Sequence, residues 1–172
     1  MGIYAAGANL GGELGLDKES TNEQPLFKRI INGKFIALSS GAMHSAAIDE
    51  NGCLWTWGIN DDGALFRNGR KDVPTKTSLT RVRQVVCTDS STVVLLSDKT
   101  VKISGAFRNA NGDIEKAVDV DLRNITKITA GHQHVLALDG DGKVWVWGGG
   151  NRDYNRICIS EIPEFATPQH IY

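Results

Sequence analysis

Histidine and carboxylate side chains in three short, mutually similar loops are the residues of this chain best suited to chemistry. The loops read GAMH at 41–44, TDSS at 88–91 and GHQH at 131–134. His132 and His134 are two residues apart, a spacing that places both imidazoles on one face of a strand, where they could bind a metal ion. No third ligand lies near them in the sequence. We therefore predict no metal site and no cofactor.

Motifs for covalent catalysis are missing from the sequence. The glycine run 148–150 is not followed by the Lys-Ser/Thr pair that cradles phosphates, and neither G-x-S-x-G nor H-E-x-x-H occurs. For Asp89 two interpretations stay open, a functional carboxylate or a turn cap that bonds its own backbone. For His44 and His134 we expect buried structural hydrogen bonds.

The three loops belong to an internal repeat. The positions of Gly41, His44 and Gly58 recur 47 residues later and again 43 residues after that. Upstream, IYAAGANLGGEL at 3–14 overlays LWTWGINDDGAL at 54–65, so residues 1–30 read as the second half of a first repeat. The other repeats are predicted at 31–78 and 79–121, and 122–172 holds a repeat plus a linker. The structural repeat positions are Gly41, His44, Gly58, Gly105, Gly131, His134 and Gly148.

Each repeat contains a β-hairpin pattern. HSAAIDE and HVLALDG are short apolar runs, turn residues follow, and LWTWG and VWVWG resume a strand. Weaker strands such as KFIALSS flank the hairpins, and no helical periodicity is sustained. Repeats of this length and content predict an all-β protein built from propeller blades. A β-sandwich is the alternative, but a sandwich does not require a repeated sequence.

Composition excludes several classes of protein. The formal net charge of −1 and the pI of about 6.4 give no basic footprint for nucleic acid. Three widely spaced cysteines indicate neither a disulfide framework nor a zinc module and fit a reducing compartment. No apolar segment approaches the length of a membrane span, about 20 residues. We expect a soluble, intracellular protein without membrane contacts.

The phrase G-x-x-H, an aliphatic strand, D-x-x-G, W-x-W-G-x-N and x-x-G-x-L resembles the repeat of the regulator of chromosome condensation family, whose members are seven-bladed propellers. This resemblance implies three to three and a half blades of such a ring. It also implies a guanine nucleotide exchange factor for a Ran-type small GTPase, which presses propeller loops against the GTPase and promotes GDP release without covalent chemistry. The nucleus is the implied location, with the cytoplasm as the alternative.

The resemblance also assigns candidate contact residues. Asp89 falls where the family has a GTPase-facing carboxylate, whereas Gln133 stands where its exchange factors have an aspartate. His132 lies in the same loop as Gln133. Arg108 and Asn109 follow a strand where the family projects a wedge toward its GTPase, and the segment that would form the wedge here, 109–120, is short.

The number of repeats is too small to close a ring, since propellers have about four to eight blades. The sequence therefore predicts a further partner, the remaining half of the propeller. Chromatin or histone contacts would need parts outside this chain. A non-catalytic interaction scaffold within a larger complex is the alternative to exchange activity.

Overall fold

Three four-stranded antiparallel sheets and one two-stranded sheet make up the structure, a computed structural model that describes residues 1–17, 23–108, 113–117 and 119–148 and the backbone of 165–170. The partial blade pairs β1 (Gly2–Ala8) with β2 (Glu23–Asn32). The first blade has the order β3-β4-β5-β6, the second β7-β8-β9-β10 and the third β11-β12-β13-β14. The all-β prediction is confirmed.

Within each blade the strands follow one another in space as they do in the chain. The first blade contains β3 (Phe35–Ser40), β4 (His44–Asp49), β5 (Leu54–Gly58) and β6 (Thr75–Lys76). The second contains β7 (Val82–Cys87), β8 (Ser91–Leu96), β9 (Val101–Arg108) and β10 (Ile114–Lys116). The third contains β11 (Ile125–Ala130), β12 (His134–Asp139), β13 (Val144–Gly148) and β14 (Phe165–His170).

Apolar side chains fill the spaces between successive blades. The first and second blades share one buried cluster, which includes Ile48, Leu54, Val85 and Val94. The second and third share another, and a smaller cluster around Ile3, Ala47 and Trp57 joins the partial blade to the first. Burial between sheets is the main favourable term that holds such a stack together. The blades therefore form a continuous series with a core at each junction.

Carboxylate caps shape the hairpins at one end of the first and third blades. Asp49 accepts hydrogen bonds from the backbone amides of Asn51 and Cys53 and from the Trp55 indole, at 2.9–3.0 Å. Asp139 makes the same three contacts in the third blade. The second blade has Leu96 at this position. The opposite end of each blade carries the loops that could do chemistry.

None of the described residues belongs to a helix with the length and hydropathy needed to cross a membrane.

Candidate functional site

The candidate site is the end of the blades formed by the turns Gly41–Met43, Thr88–Ser90 and Gly131–Gln133, here called the loop face. Each turn joins the first two strands of its blade. The same backbone hydrogen bond closes all three turns. The amide of the first turn residue donates to the carbonyl oxygen of the residue three positions later, at 2.8 Å in the first blade and 2.9 Å in the others. Equivalent loops of neighbouring blades therefore lie side by side.

Glycine is required on the strand that backs each loop. Gly58, Gly105 and Gly148 have φ of 103°, 115° and 118°, a left-handed region that strongly favours glycine. A Cβ at Gly105 would lie 2.2 Å from the Ser90 carbonyl oxygen, and the other two glycines face a loop carbonyl in the same way. These glycines let the loop backbone rest directly on the neighbouring strand.

Asp89, His132 and Gln133 meet at the junction of the second and third blades. The Asp89 Oδ2 atom accepts a hydrogen bond from Gln133 Nε2 at 2.6 Å and lies 2.8 Å from His132 Nδ1. The Asp89 amide donates to the His132 carbonyl oxygen at 2.9 Å. Gln133 is only 8% exposed, whereas the His132 side chain is 62% exposed. Three sequence-predicted candidates thus form one polar cluster.

The cluster presents an anionic group held by donors. A carboxylate accepts hydrogen bonds, so the Gln133 amide must turn its nitrogen toward Asp89. His132 likewise donates from Nδ1. Among the described residues, no group of three His, Cys, Asp or Glu side chains is arranged to hold a metal ion. The arrangement is suited to contact a cationic group of a partner.

Thr88, not Asp89, caps the turn of the second blade. Its hydroxyl oxygen accepts from the Ser91 amide at 3.1 Å and lies 2.7 Å from the Ser91 hydroxyl. Capping was the alternative interpretation of Asp89, and the contacts of its side chain go instead to the adjacent blade. The Asp89 carboxylate is therefore available to shape the loop face.

His44 anchors the first blade to the second. It is fully buried, and its Nε2 atom lies 3.0 Å from the hydroxyl of Thr92. Burial lowers the pKa of His44 to about 4, so the ring is neutral at physiological pH. Burial also raises the pKa of the neighbouring Cys87 thiol to about 11. His134, the equivalent residue in the third blade, is half-buried.

Arg108 lies at the same end of the second blade as Asp89. Strand β9 pairs Gly105 with Ser91 and continues past this pair to Arg108, which is the register partner of Ile114. Only the backbone of Arg108 is described, and Asn109 lies outside the described residues. Strand register thus places the backbone of Arg108, one of the two wedge candidates, at the loop-face end of the second blade.

Two family models described as "Regulator of chromosome condensation (RCC1) repeat" match the chain. One matches residues 35–64 and 125–154, and the other matches residues 51–95. These matches cover more than half of the chain. The chain belongs to the regulator of chromosome condensation family. The family prediction is thereby confirmed.

Individual relatives agree. The chain is 30% identical to the regulator of chromosome condensation of Xenopus laevis, over 91% of this chain and 39% of the relative. It is 29% identical to a secretion-regulating guanine nucleotide exchange factor of Bos taurus, over 96% of this chain and 39% of the relative. The crystal structure of Prp20p from Saccharomyces cerevisiae, a protein described by its binding to Gsp1p and histones, matches with a TM-score of 0.78 at 25% identity, over 97% of this chain and 46% of that one.

This structural match confirms the partial propeller of the family. It also shows that the chain spans less than half the length of these relatives.

The contact between Asp89 and Gln133 was not predicted from the sequence, although each residue was a candidate. The signal was present in the repeat, because an offset of 43 makes the loops 88–91 and 131–134 equivalent. Adjacent propeller blades bring equivalent loops together. A search for polar pairs at offsets of about one repeat would have found it.

Proposed function

We propose that this chain supplies the loop face of a guanine nucleotide exchange factor for a Ran-type small GTPase. Family membership and relatives named as exchange factors support a function in nucleotide exchange. The resemblance of the repeats to those of Ran exchange factors supports the type of GTPase. Exchange of this kind requires no covalent step.

The physical basis of exchange is a coupling free energy between two ligands. A protein that binds the nucleotide-free GTPase more tightly than the GDP-bound form lowers the affinity for GDP by the same factor. Loops on a rigid scaffold suit this task, because the binding energy is not lost in ordering them. Here the loops are joined to buried sheets and closed by repeated backbone hydrogen bonds.

The observation that carries this proposal is the position of Asp89. Its carboxylate lies at a blade junction on the loop face and contacts two side chains of the next blade. The resemblance of the repeats assigns Asp89 to a position where the family has a GTPase-facing carboxylate. An anionic group held in place attracts a complementary cation and contributes to both encounter and specificity.

Release of fluorescent GDP from a Ran-type GTPase tests the proposal directly. Adding the 172-residue chain is expected to accelerate release, and Asp89→Asn is expected to reduce the acceleration roughly tenfold by removing the charge. Asp98→Asn is the matched control, since Asp98 follows β8 and Asp89 precedes it, at the opposite end of the same strand. Equal losses for both variants, or no acceleration by the folded wild-type chain, would contradict the exchange function.

A non-catalytic interaction scaffold is the second candidate. It is favoured by Gln133, a buried amide where the family's exchange factors have a second carboxylate. A scaffold would bind its partner through the same face without changing nucleotide affinity. Binding of the GTPase in a pull-down, combined with an unchanged rate of GDP release, would support this candidate over exchange.

We also propose that further blades complete the structure at the partial blade. Tyr4, Phe27 and Leu38 are exposed there, and a groove of about 240 Å³ between β1, β2 and β3 is lined by them and by Trp57. Soluble proteins rarely leave such apolar surfaces uncovered. Co-expression with the remaining repeats of a family propeller should yield a stable complex and protect β1 from hydrogen exchange. Unchanged hydrogen exchange in β1 would argue against completion of the structure at the partial blade.

The nucleus is the proposed place of action, as the relatives named as regulators of chromosome condensation suggest. Chromatin or histone contacts are proposed only through segments that this chain does not contain. Nuclear accumulation of the fluorescently tagged chain would support the location. A tagged chain confined to the cytoplasm would contradict it.

A further inference from the structure

We propose that Gln133 and His132 are positioning residues that clamp one oxygen of Asp89 and direct the other toward a cationic group of the GTPase. The inference rests on the proposed exchange function. It replaces the interpretation of Gln133 as a lost GTPase contact with a role within the loop face. The clamp is defined as Asp89 Oδ2 with Gln133 Nε2 and His132 Nδ1.

The geometry of Asp89 is the first support. Among the described residues, the polar contacts of its side chain are made through Oδ2, at 2.6 Å from Gln133 and 2.8 Å from His132. Two donors on one oxygen fix the plane of the carboxylate. The Asp89 side chain is nevertheless 19% exposed, so the group is not sealed from a partner.

The burial of Gln133 is the second support. A side chain that is 8% exposed has little surface to offer a GTPase, while its amide nitrogen reaches the adjacent loop. Hydrogen bonds to a charged group are about twice as strong as neutral ones. Gln133 therefore acts on a partner through Asp89 and not by direct contact.

The backbone adds a third point of attachment. The Asp89 amide donates to the His132 carbonyl oxygen, so the two loops are joined by main-chain as well as side-chain hydrogen bonds. Displacements of about 1 Å can cost a hundredfold in rate where a group must be oriented. The clamp and this backbone hydrogen bond together make three hydrogen bonds across the blade junction, which limit such displacements.

Substitution of Gln133 separates the two interpretations. Gln133→Glu has nearly the same shape but sets a second carboxylate against Asp89, where like charges repel. If Gln133 were a lost contact, restoring a carboxylate would accelerate GDP release. The clamp predicts the opposite, a slower release, and a rate above that of the wild type would overturn it.

Gln133→Met removes the donor and keeps the side-chain length. We expect the rate of GDP release to fall by up to roughly tenfold, as for losing one hydrogen bond to a charged group, and by no more than in Asp89→Asn, because Gln133 acts through Asp89. Gln84→Met is the matched control, because Gln84 Oε1 accepts from the Ile128 amide at 2.9 Å and so joins the same two blades away from the loop face. It should leave the release rate unchanged at a similar loss of thermal stability.

A double-mutant cycle tests whether Gln133 acts through Asp89. In the Asp89→Asn background, Gln133→Met should change the release rate no further. An undiminished additional loss would show that Gln133 acts independently and would overturn the proposal.

A structural readout keeps the clamp testable without GTPase activity. The imidazole ¹⁵N spectrum of His132 should show a hydrogen on Nδ1, the atom that faces Asp89 Oδ2, in the full chain. Asp89→Ala should reduce the population that carries this hydrogen. If the wild-type chain fails to accelerate GDP release from the GTPase, the exchange function is contradicted. The spectrum alone then decides whether the clamp exists. An unaltered spectrum in Asp89→Ala would overturn the clamp even if exchange were observed.

Discussion

The loops Gly41–His44 and Thr88–Ser91 occupy equivalent places in the first and second blades, and the same backbone hydrogen bond closes both. Their side chains differ. The first loop has no side chain at its first position and an imidazole at its fourth, whereas the second has two hydroxyl groups that lie 2.7 Å apart. A Cβ at Gly41 would lie 2.0 Å from the Thr88 carbonyl oxygen and 2.8 Å from His44 Cε1, so both the second blade and the histidine require glycine there. In the second loop both positions differ together, with Thr88 and Ser91 in place of Gly41 and His44.

The neighbouring blade explains which pair is used. His44 reaches across to the hydroxyl of Thr92 in the second blade. The residue equivalent to Thr92 in the third blade is Val135, which is fully buried and apolar. A histidine at position 91 would lack this partner, and buried polar groups without partners are costly. The second loop instead satisfies its polar groups internally, and Asp89 supplies the contact with the third blade.

Among the substitutions in these loops, Gly41→Thr is expected to lower the free energy of unfolding the most. Its Cβ would lie 2.0 Å from the Thr88 carbonyl oxygen, a backbone atom that cannot move away without shifting the second blade. We expect the free energy of unfolding to fall by about 3 kcal/mol, the upper range for overpacking. Urea denaturation measures it. Ala42→Thr, in the same loop but exposed, is the control and should cost little; equal losses would refute the steric explanation.

His44 should make the chain sensitive to acid. Its folded pKa of about 4 lies below the unfolded value of 6.5, so the unfolded state binds a proton that the folded state does not. Stability contributed by the neutral ring is present above pH 6.5 and is lost as the pH falls to 4, by roughly 3 kcal/mol for a shift of this size.

The check is urea denaturation across this pH range with His44→Gln as the control, which has no imidazole to titrate. The difference in unfolding free energy between wild type and variant should change in favour of the variant as the pH falls. A difference independent of pH between 6.5 and 4 would show that His44 is not held neutral.

The third blade allows the pair to be exchanged deliberately. The three atoms nearest to a Cβ at Gly131 would all belong to the His134 ring, the closest at 2.4 Å. Gly131→Thr alone should cost about 2 kcal/mol. Adding His134→Ser should recover much of this loss, measured by thermal or urea unfolding. No recovery in the double variant would mean that the imidazole is not what excludes a side chain at 131.

The fold was largely predictable, because it depends on features that repeat. Hairpin strands, turn glycines and the histidine positions recur along the sequence, and backbone hydrogen bonds recur with them. Asp89, His132 and Gln133 were each named from the sequence as candidates for contact with a GTPase, and that role stays a prediction. Their mutual contact was not predictable, because it depends on how two blades pack and on the orientation of a glutamine amide, which neither strand periodicity nor spacing determines.

Removing the hydroxyl groups of the second loop should lower the free energy of unfolding the least. Thr88→Val removes an oxygen that contacts the Ser91 hydroxyl and amide, at an expected cost of about 1 kcal/mol in the free energy of unfolding. Ser91→Ala removes the other hydroxyl. Because losing one partner of a buried hydrogen bond leaves the other unsatisfied, the double variant should cost less than the two single losses added together.

Urea denaturation of the three variants measures this coupling. Strict additivity would mean that the hydroxyls do not act as a pair, and the comparison with the glycine–histidine pair of the first loop would then fail. A coupled loss would show that one backbone turn is supported by two different side-chain pairs. That tolerance is the physical condition that allows the second loop to place an aspartate at the blade junction without losing the turn.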